Sequence, residues 1–140
     1  MIKIEPIEVS IKEDGFLRLR VYENSFSFSR IASELLGIKA GDAVRFAFTN
    51  PIQADFSFLL VAKDPNGIKI RSAGHGVYMV RNKELMDKVL VRYSLTRGEV
   101  RGLLFKARLA PGSDLPYIEN QIGNEVFKYY VFGIPQKIKK

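Results

Sequence analysis

Residues 26–48 read FSFSRIASELLGIKAGDAVRFAF, and the reading of this stretch decides the fold. Phe26 and Phe28 alternate with Ser27 and Ser29, the period of a strand with one apolar face. Ser29 can accept from free backbone N–H groups and so start a helix. Ile31, Ala32, Leu35 and Leu36 follow at helical spacing, and Gly37 can take the positive φ that ends the run. The spacing predicts a helix of about two turns over 30–36. A helix that short is unstable alone and must pack on a sheet. Lys39 to Asp42 then turns the chain, and Val44, Phe46 and Phe48 recur two apart as the next strand.

The same grammar extends both ways. Ile2, Ile4, Ile7, Val9 and Ile11 alternate around Pro6 and predict two short strands over 2–12. Asp14-Gly15 is a hairpin turn signal, followed by a strand over 16–22 with Arg18 and Arg20 on one face. Asn50-Pro51 breaks the chain before a near-continuous apolar strand over 56–62. Asp64 to Gly67 is a turn cluster, and 68–71 is expected to return as a β-turn-β pair. Residues 72–76 read as a loop and 77–80 as a short strand. Asn82 caps a second helix carrying Leu85, Met86, Val89 and Leu90. Strands are expected over 100–109 and 125–132, with a frayed tail over 136–140.

The expected fold class is therefore α+β and β-rich: a small antiparallel or mixed sheet or barrel with two short helices. One domain over 1–140 is expected, with sub-halves 1–72 and 73–140. The order strand, cap, helix, strand over 26–48 recurs over 77–109, with Ser29 and Asn82 as equivalent caps, and reads as a weak internal repeat.

The chain has 140 residues and can bury roughly 68% of its unfolded surface without staples. It has no cysteine, which removes disulfides and thiolate chemistry. No apolar stretch approaches a bilayer span, and 1–15 lack the pattern of a signal peptide, so a cytoplasmic location without membrane contact is expected. A single histidine, His75, cannot make a usual zinc site. It lies between glycines, away from any nucleophile pattern. Asp14, Asp42, Asp64, Glu84, Asp87 and Asp114 sit where turns and helix faces use acids locally. No phosphate-binding loop is present, and Arg101 to Phe105 lacks the aromatics of an RNA-recognition strand. The sequence thus points to no enzyme, no catalytic residue, no metal and no cofactor.

The formal net charge of +7 favours polyanionic partners. Between Lys88 and Arg108 stand Lys88, Arg92, Arg97, Arg101, Lys106 and Arg108 against one acid, Glu99. Arg92 adjoins Tyr93, which could set stacking beside charge. Arg18, Arg20, Arg30 and Arg45 form a second set. The candidate nucleic-acid-binding residues are Arg18, Arg20, Arg30, Arg45, Arg92, Arg97 and Arg101. A solvated surface explains both sets equally well.

Leu36-Gly37-Ile38-Lys39-Ala40-Gly41-Asp42, followed by Val44 and Phe46, resembles the core of the AbrB-type swapped-hairpin DNA-binding domain over roughly residues 15–71. The family usually has a proline where Ser29 stands, a glycine-arginine pair where Asn24-Ser25 stand and an arginine where Ser33 stands, and 49–57 looks like an insertion. None of the family's DNA-contact residues transfers. The resemblance implies a homodimeric DNA-binding regulator of transcription. The alternative is a non-enzymatic assembly module of the kind phages and mobile elements encode. Its interface would use Phe127, Tyr129, Tyr130 and Phe132.

Overall fold

A computed structural model describes residues 2–7, 15–49 and 57–138. The elements in chain order are β1 (Phe16–Arg20), a 3-10 turn (Val21–Glu23), β2 (Ser25–Phe28), α1 (Arg30–Leu36), β3 (Ala43–Phe48), β4 (Leu59–Lys63), β5 (Ile68–Lys69), β6 (Arg71–Gly74), β7 (Val77–Arg81), α2 (Lys83–Arg92), β8 (Gly102–Lys106), β9 (Tyr117–Ile122), β10 (Glu125–Phe132) and β11 (Gln136–Ile138). They form a six-stranded sheet, β11-β8-β1-β2-β7-β6, and a five-stranded sheet, β5-β3-β4-β10-β9. Every pairing is antiparallel. The fold is thus α+β and β-rich, and neither sheet closes into a barrel. Each sheet draws strands from both sides of residue 72.

The two sheets face each other across the main core. Leu17, Leu19, Phe26, Phe28, Val80, Leu103 and Phe105 come from the six-stranded sheet, and Val44, Leu59, Val61 and Phe132 from the other. The Phe26 and Phe46 rings are centred 5.3 Å apart, and Phe28 meets Phe132 at 6.4 Å. Met86, Val89 and Leu90 of α2 enter the same core. Tyr93, just beyond α2, touches Phe48 of one sheet and Phe105 of the other. A second cluster, Leu60, Ala62, Ala110, Phe127, Tyr129 and Val131, lies on the opposite face of the five-stranded sheet. That sheet is therefore apolar on both faces. The six-stranded sheet keeps one packed face and one solvated face, as antiparallel sheets commonly do.

Both helices begin as their caps dictate. The Ser29 hydroxyl accepts from Ala32 N at 3.2 Å and also from Phe16 N at 3.0 Å, joining α1 to β1. The Asn82 side chain accepts from Leu85 N at 2.8 Å. Gly37 ends α1 at φ +66°, where a Cβ would be strained. Asp42 accepts from Lys39 N at 3.0 Å, closing the turn into β3.

Several expectations give way. Residues 2–7 form no strand, and Ile2, Ile4 and Ile7 are exposed. The remainder of the expected strand, the Asp14 turn, the Asn50-Pro51 break and Phe56 lie outside the described residues. The Asp64 to Gly67 turn forms, with Asp64 accepting from Asn66 N, but it makes no hairpin. β5 pairs with β3 instead of β4, because the chain folds across the end of β3. Gly67 permits this: a Cβ there would stand 2.2 Å from the Val44 carbonyl oxygen. The expected strand over 68–71 divides at buried Ile70. Ile70 N donates to Asp42 O in one direction, and Arg71 starts β6 of the other sheet in the next.

Residues 72–74 belong to strand β6 where a loop was expected, and Gln136–Ile138 pairs with β8 where a frayed tail was expected. β9 was not anticipated, because its residues YIENQI carry no sustained apolar alternation. Of the internal repeat, the order strand, cap, helix, strand recurs, but the faces and the sheets do not correspond. Aligning Ser29 with Asn82 sets Ser27 of the solvated face on buried Val80, a one-residue slip that reverses the faces. The next strands, β3 and β8, also belong to different sheets.

Candidate nucleic-acid interface

The solvated face of the six-stranded sheet is assembled by alternation and register. In β1, Leu17 and Leu19 point into the core, so Phe16, Arg18 and Arg20 point out. Register carries the same face across the neighbours. Arg18 pairs with Ser27 of β2, Ser27 with Met79 of β7, and Met79 with Arg71 of β6. One step along, Arg20 pairs with Ser25, and Ser25 with Arg81. On the other flank Phe16 pairs with Lys106 of β8. Short serines on β2 thus run between arginines on both sides.

The result is a hollow of about 540 Å3 lined by residues that include Phe16, Arg18, Arg20, Ser25, Ser27, Met79 and Arg81. The β6–β7 turn, with His75 at φ +53°, forms its far wall. Glu23 is the one carboxylate in the lining, and it sits 3.7 Å from Arg20 with both side chains more than half exposed. A smaller hollow continues past Arg18 and Arg20 to Arg101 and Ile138. Among the described residues, no carboxylate lies within ion-pair distance of Arg18, Arg71, Arg81 or Arg101. Arg18 instead lies over the Phe16 ring, 5.8 Å from its centre.

Of the seven arginines singled out from sequence, Arg18, Arg20 and Arg101 come together here. Arg30 stands at the margin: its aliphatic stem lies near Gly76 of the β6–β7 turn, and its head pairs with Glu34 at 3.3 Å. The other three are placed elsewhere. Arg45 lies on the five-stranded sheet, 3.7 Å from Asp64 and 4.7 Å from the centre of the Phe127 ring. Arg92 covers Phe48 at 4.7 Å. Arg97 donates from Nε and Nη2 to Asp87 at 3.0 and 2.6 Å, and from Nη1 to the Val21 carbonyl at 3.0 Å. Tyr93, expected to offer a stacking ring beside Arg92, is turned inward. Burial pushes its phenol well above the usual tyrosine range, and its O–H donates to Ser57 O at 2.9 Å.

Arg71 and Arg81 are the residues that sequence reading missed. The alternation of Val77–Arg81 does place Met79 and Arg81 on one face. Nothing local shows that β7 lies beside β2, since that pairing joins segments far apart in the chain.

The aromatic candidates for a protein interface are mostly internal. Phe127, Tyr129 and Phe132 are buried within the chain, and Tyr130 is half-buried. Among the described residues no three His, Asp or Glu side chains stand together as metal ligands. His75 shares its hollow with the single carboxylate Glu23. No helix among the described residues is long and apolar enough to cross a membrane. No protein-family model, no curated protein and no solved structure matches this chain.

Proposed function

We propose that this chain binds nucleic acid, with DNA as the first polymer to test, through the solvated face of its six-stranded sheet. The observation that carries the reading is the set Arg18, Arg71, Arg81 and Arg101, gathered on one side of the molecule with no ion-pair partner among the described residues. Unpaired guanidinium groups repel one another, and a polyanion relieves that repulsion while releasing its own counterions. Arg20 and Lys106 add charge on the same face, and the floor hydroxyl of Ser27 adds a phosphate donor.

The order strand, capped helix, glycine-ended turn and strand over 25–48 is the part of the chain on which the AbrB-type resemblance rests. It supports DNA as the polymer, with a homodimer and a role in transcription as further parts of the proposal. The assembly-module reading has less support, because three of its four aromatic residues are buried in the chain's own core.

The test is fluorescence polarisation of labelled DNA titrated with the protein at low and moderate salt. Binding that weakens steeply with salt is the expected result. No binding at low salt would remove the reading.

A further inference from the structure

We infer that the strand this face accepts is a single nucleic-acid strand and not a duplex, an inference that rests on the nucleic-acid reading above. Three features of the face lead there, and the first is width. The floor runs from β1 across β2 to β7, which is two strand spacings, or about 10 Å. The major groove of B-DNA alone is about 12 Å wide, so a whole duplex is broader than this trough and would rest on its rims. One sugar-phosphate backbone fits between Arg18 and Arg20 on one side and Arg81 and the Gly74-His75 turn on the other.

The second feature is the apolar surface set among the charges. Phe16 is half-buried and backs the Arg18 guanidinium, and Met79 lies in the floor. A single strand turns its bases outward, and they stack on aromatic rings and arginine planes. A duplex keeps its bases paired inside and offers such a surface only phosphates, leaving Phe16 and Met79 unused.

The third feature is what the projecting elements lack. A protein that reads duplex DNA commonly inserts a helix or a two-stranded ribbon into the major groove. Here the ribbon formed by β9 and β10 carries Glu125 at its exposed end, and its one lysine, Lys128, stands directly across from Glu119, so it offers phosphates no net positive charge. The outer side of α2 pairs Lys88 with Glu84 at 3.2 Å, and α1 pairs Arg30 with Glu34. Arg18 and Arg81, by contrast, border the hollow of the sheet with no ion-pair partner among the described residues.

The experiment compares a labelled oligothymidylate with a mixed-sequence duplex of equal length, at one salt concentration, using the full chain. The single strand is expected to bind about tenfold more tightly or better. Phe16→Leu keeps an apolar side chain, and thermal unfolding verifies that the variant is folded. It should weaken single-strand binding about fivefold and leave duplex binding unchanged. Arg18→Ala should weaken both. Duplex binding equal to or tighter than single-strand binding overturns this inference and leaves nucleic-acid binding standing. Single-strand binding unchanged in Phe16→Leu overturns it as well. Failure of both polymers to bind removes the underlying reading itself.

Discussion

Arg18 and Arg71 stand in one cross-strand row, separated only by Ser27 and Met79, although they come from opposite ends of the described sheet-forming chain between β1 and β6. Their side chains share the solvated face because every residue in the row is a direct register partner of the next. If this row holds phosphates, each arginine removed should lower the salt dependence as well as the affinity. Arg18→Ala combined with Arg71→Ala is expected to reduce the slope of log affinity against log salt by about 1.4–1.8. Arg45→Ala and Arg92→Ala, which alter other surfaces, should leave that slope unchanged. A salt titration of the variants against one labelled oligonucleotide decides it.

Arg97 is a structural tie. It fastens the segment after α2 to Asp87 and to the Val21 carbonyl. The pair is partly exposed, which reduces its value, while the buried carbonyl contact raises it. Arg97→Ala should cost about 1–2 kcal/mol in urea unfolding with unchanged nucleic-acid affinity. Lost affinity in a fully folded variant would show instead that Arg97 reaches the ligand.

Ser29 serves two elements with one hydroxyl, accepting from Ala32 N and Phe16 N. Asn82 caps only its own helix. Ser29→Ala should therefore destabilise the chain by about 1–2 kcal/mol, more than Asn82→Ala at about 1 kcal/mol. Chemical denaturation midpoints of the two variants give the order, and the reverse order would show that the link to β1 contributes little.

Gly67 makes the close crossing over β3 possible. A methyl group at this position would meet the Val44 carbonyl at 2.2 Å, a contact that backbone must move to relieve. Gly67→Ala is expected to cost about 1–3 kcal/mol or more. Gly98→Ala, at a site open to solvent, should fall within about 0.5 kcal/mol of the parent.

Tyr93 makes stability depend on alkaline pH. Its phenol is held protonated in the fold, above its ordinary value of 10.0, chiefly by burial. The unfolded chain releases this proton first as the pH rises, so the contribution is complete below about pH 10 and is lost progressively above it. Urea unfolding at about pH 9 and about pH 11 should show a steeper decline for the parent than for Tyr93→Phe. Parallel declines would mean that Tyr93 ionises in the fold as readily as outside it.

The sequence is most legible where local chemistry decides. The helix over 30–36 and the strand over 125–132 have the bounds expected of them, because a serine cap and a positive-φ glycine bound the helix and an aromatic-rich, β-branched segment favours the strand. Arg18 and Arg20 face outward as their alternation requires. Legibility ends where partners are chosen. Ile68 and Ile70 alternate like one strand, yet a turn against β3 and the pull of two separate sheets divide them. Arg92 and Tyr93 are adjacent in sequence but serve the core, because the rings of Phe48 and Phe105 offer Tyr93 a better environment than water. Arg71 and Arg81 reach the candidate face only through pairings between segments remote in the chain.

The passage of the chain through Ile70 couples the two layers mechanically. Its neighbours belong to opposite sheets, and its backbone is pinned to Gly41 and Asp42 on both of its polar groups. β5 and β6 are therefore joined through one residue whose backbone N–H and C=O are both tied to the turn that precedes β3. A variant that shifts the Asp64 to Gly67 turn on the far sheet is therefore expected to move Arg71 at the border of the trough, since only residues 68–70 lie between them.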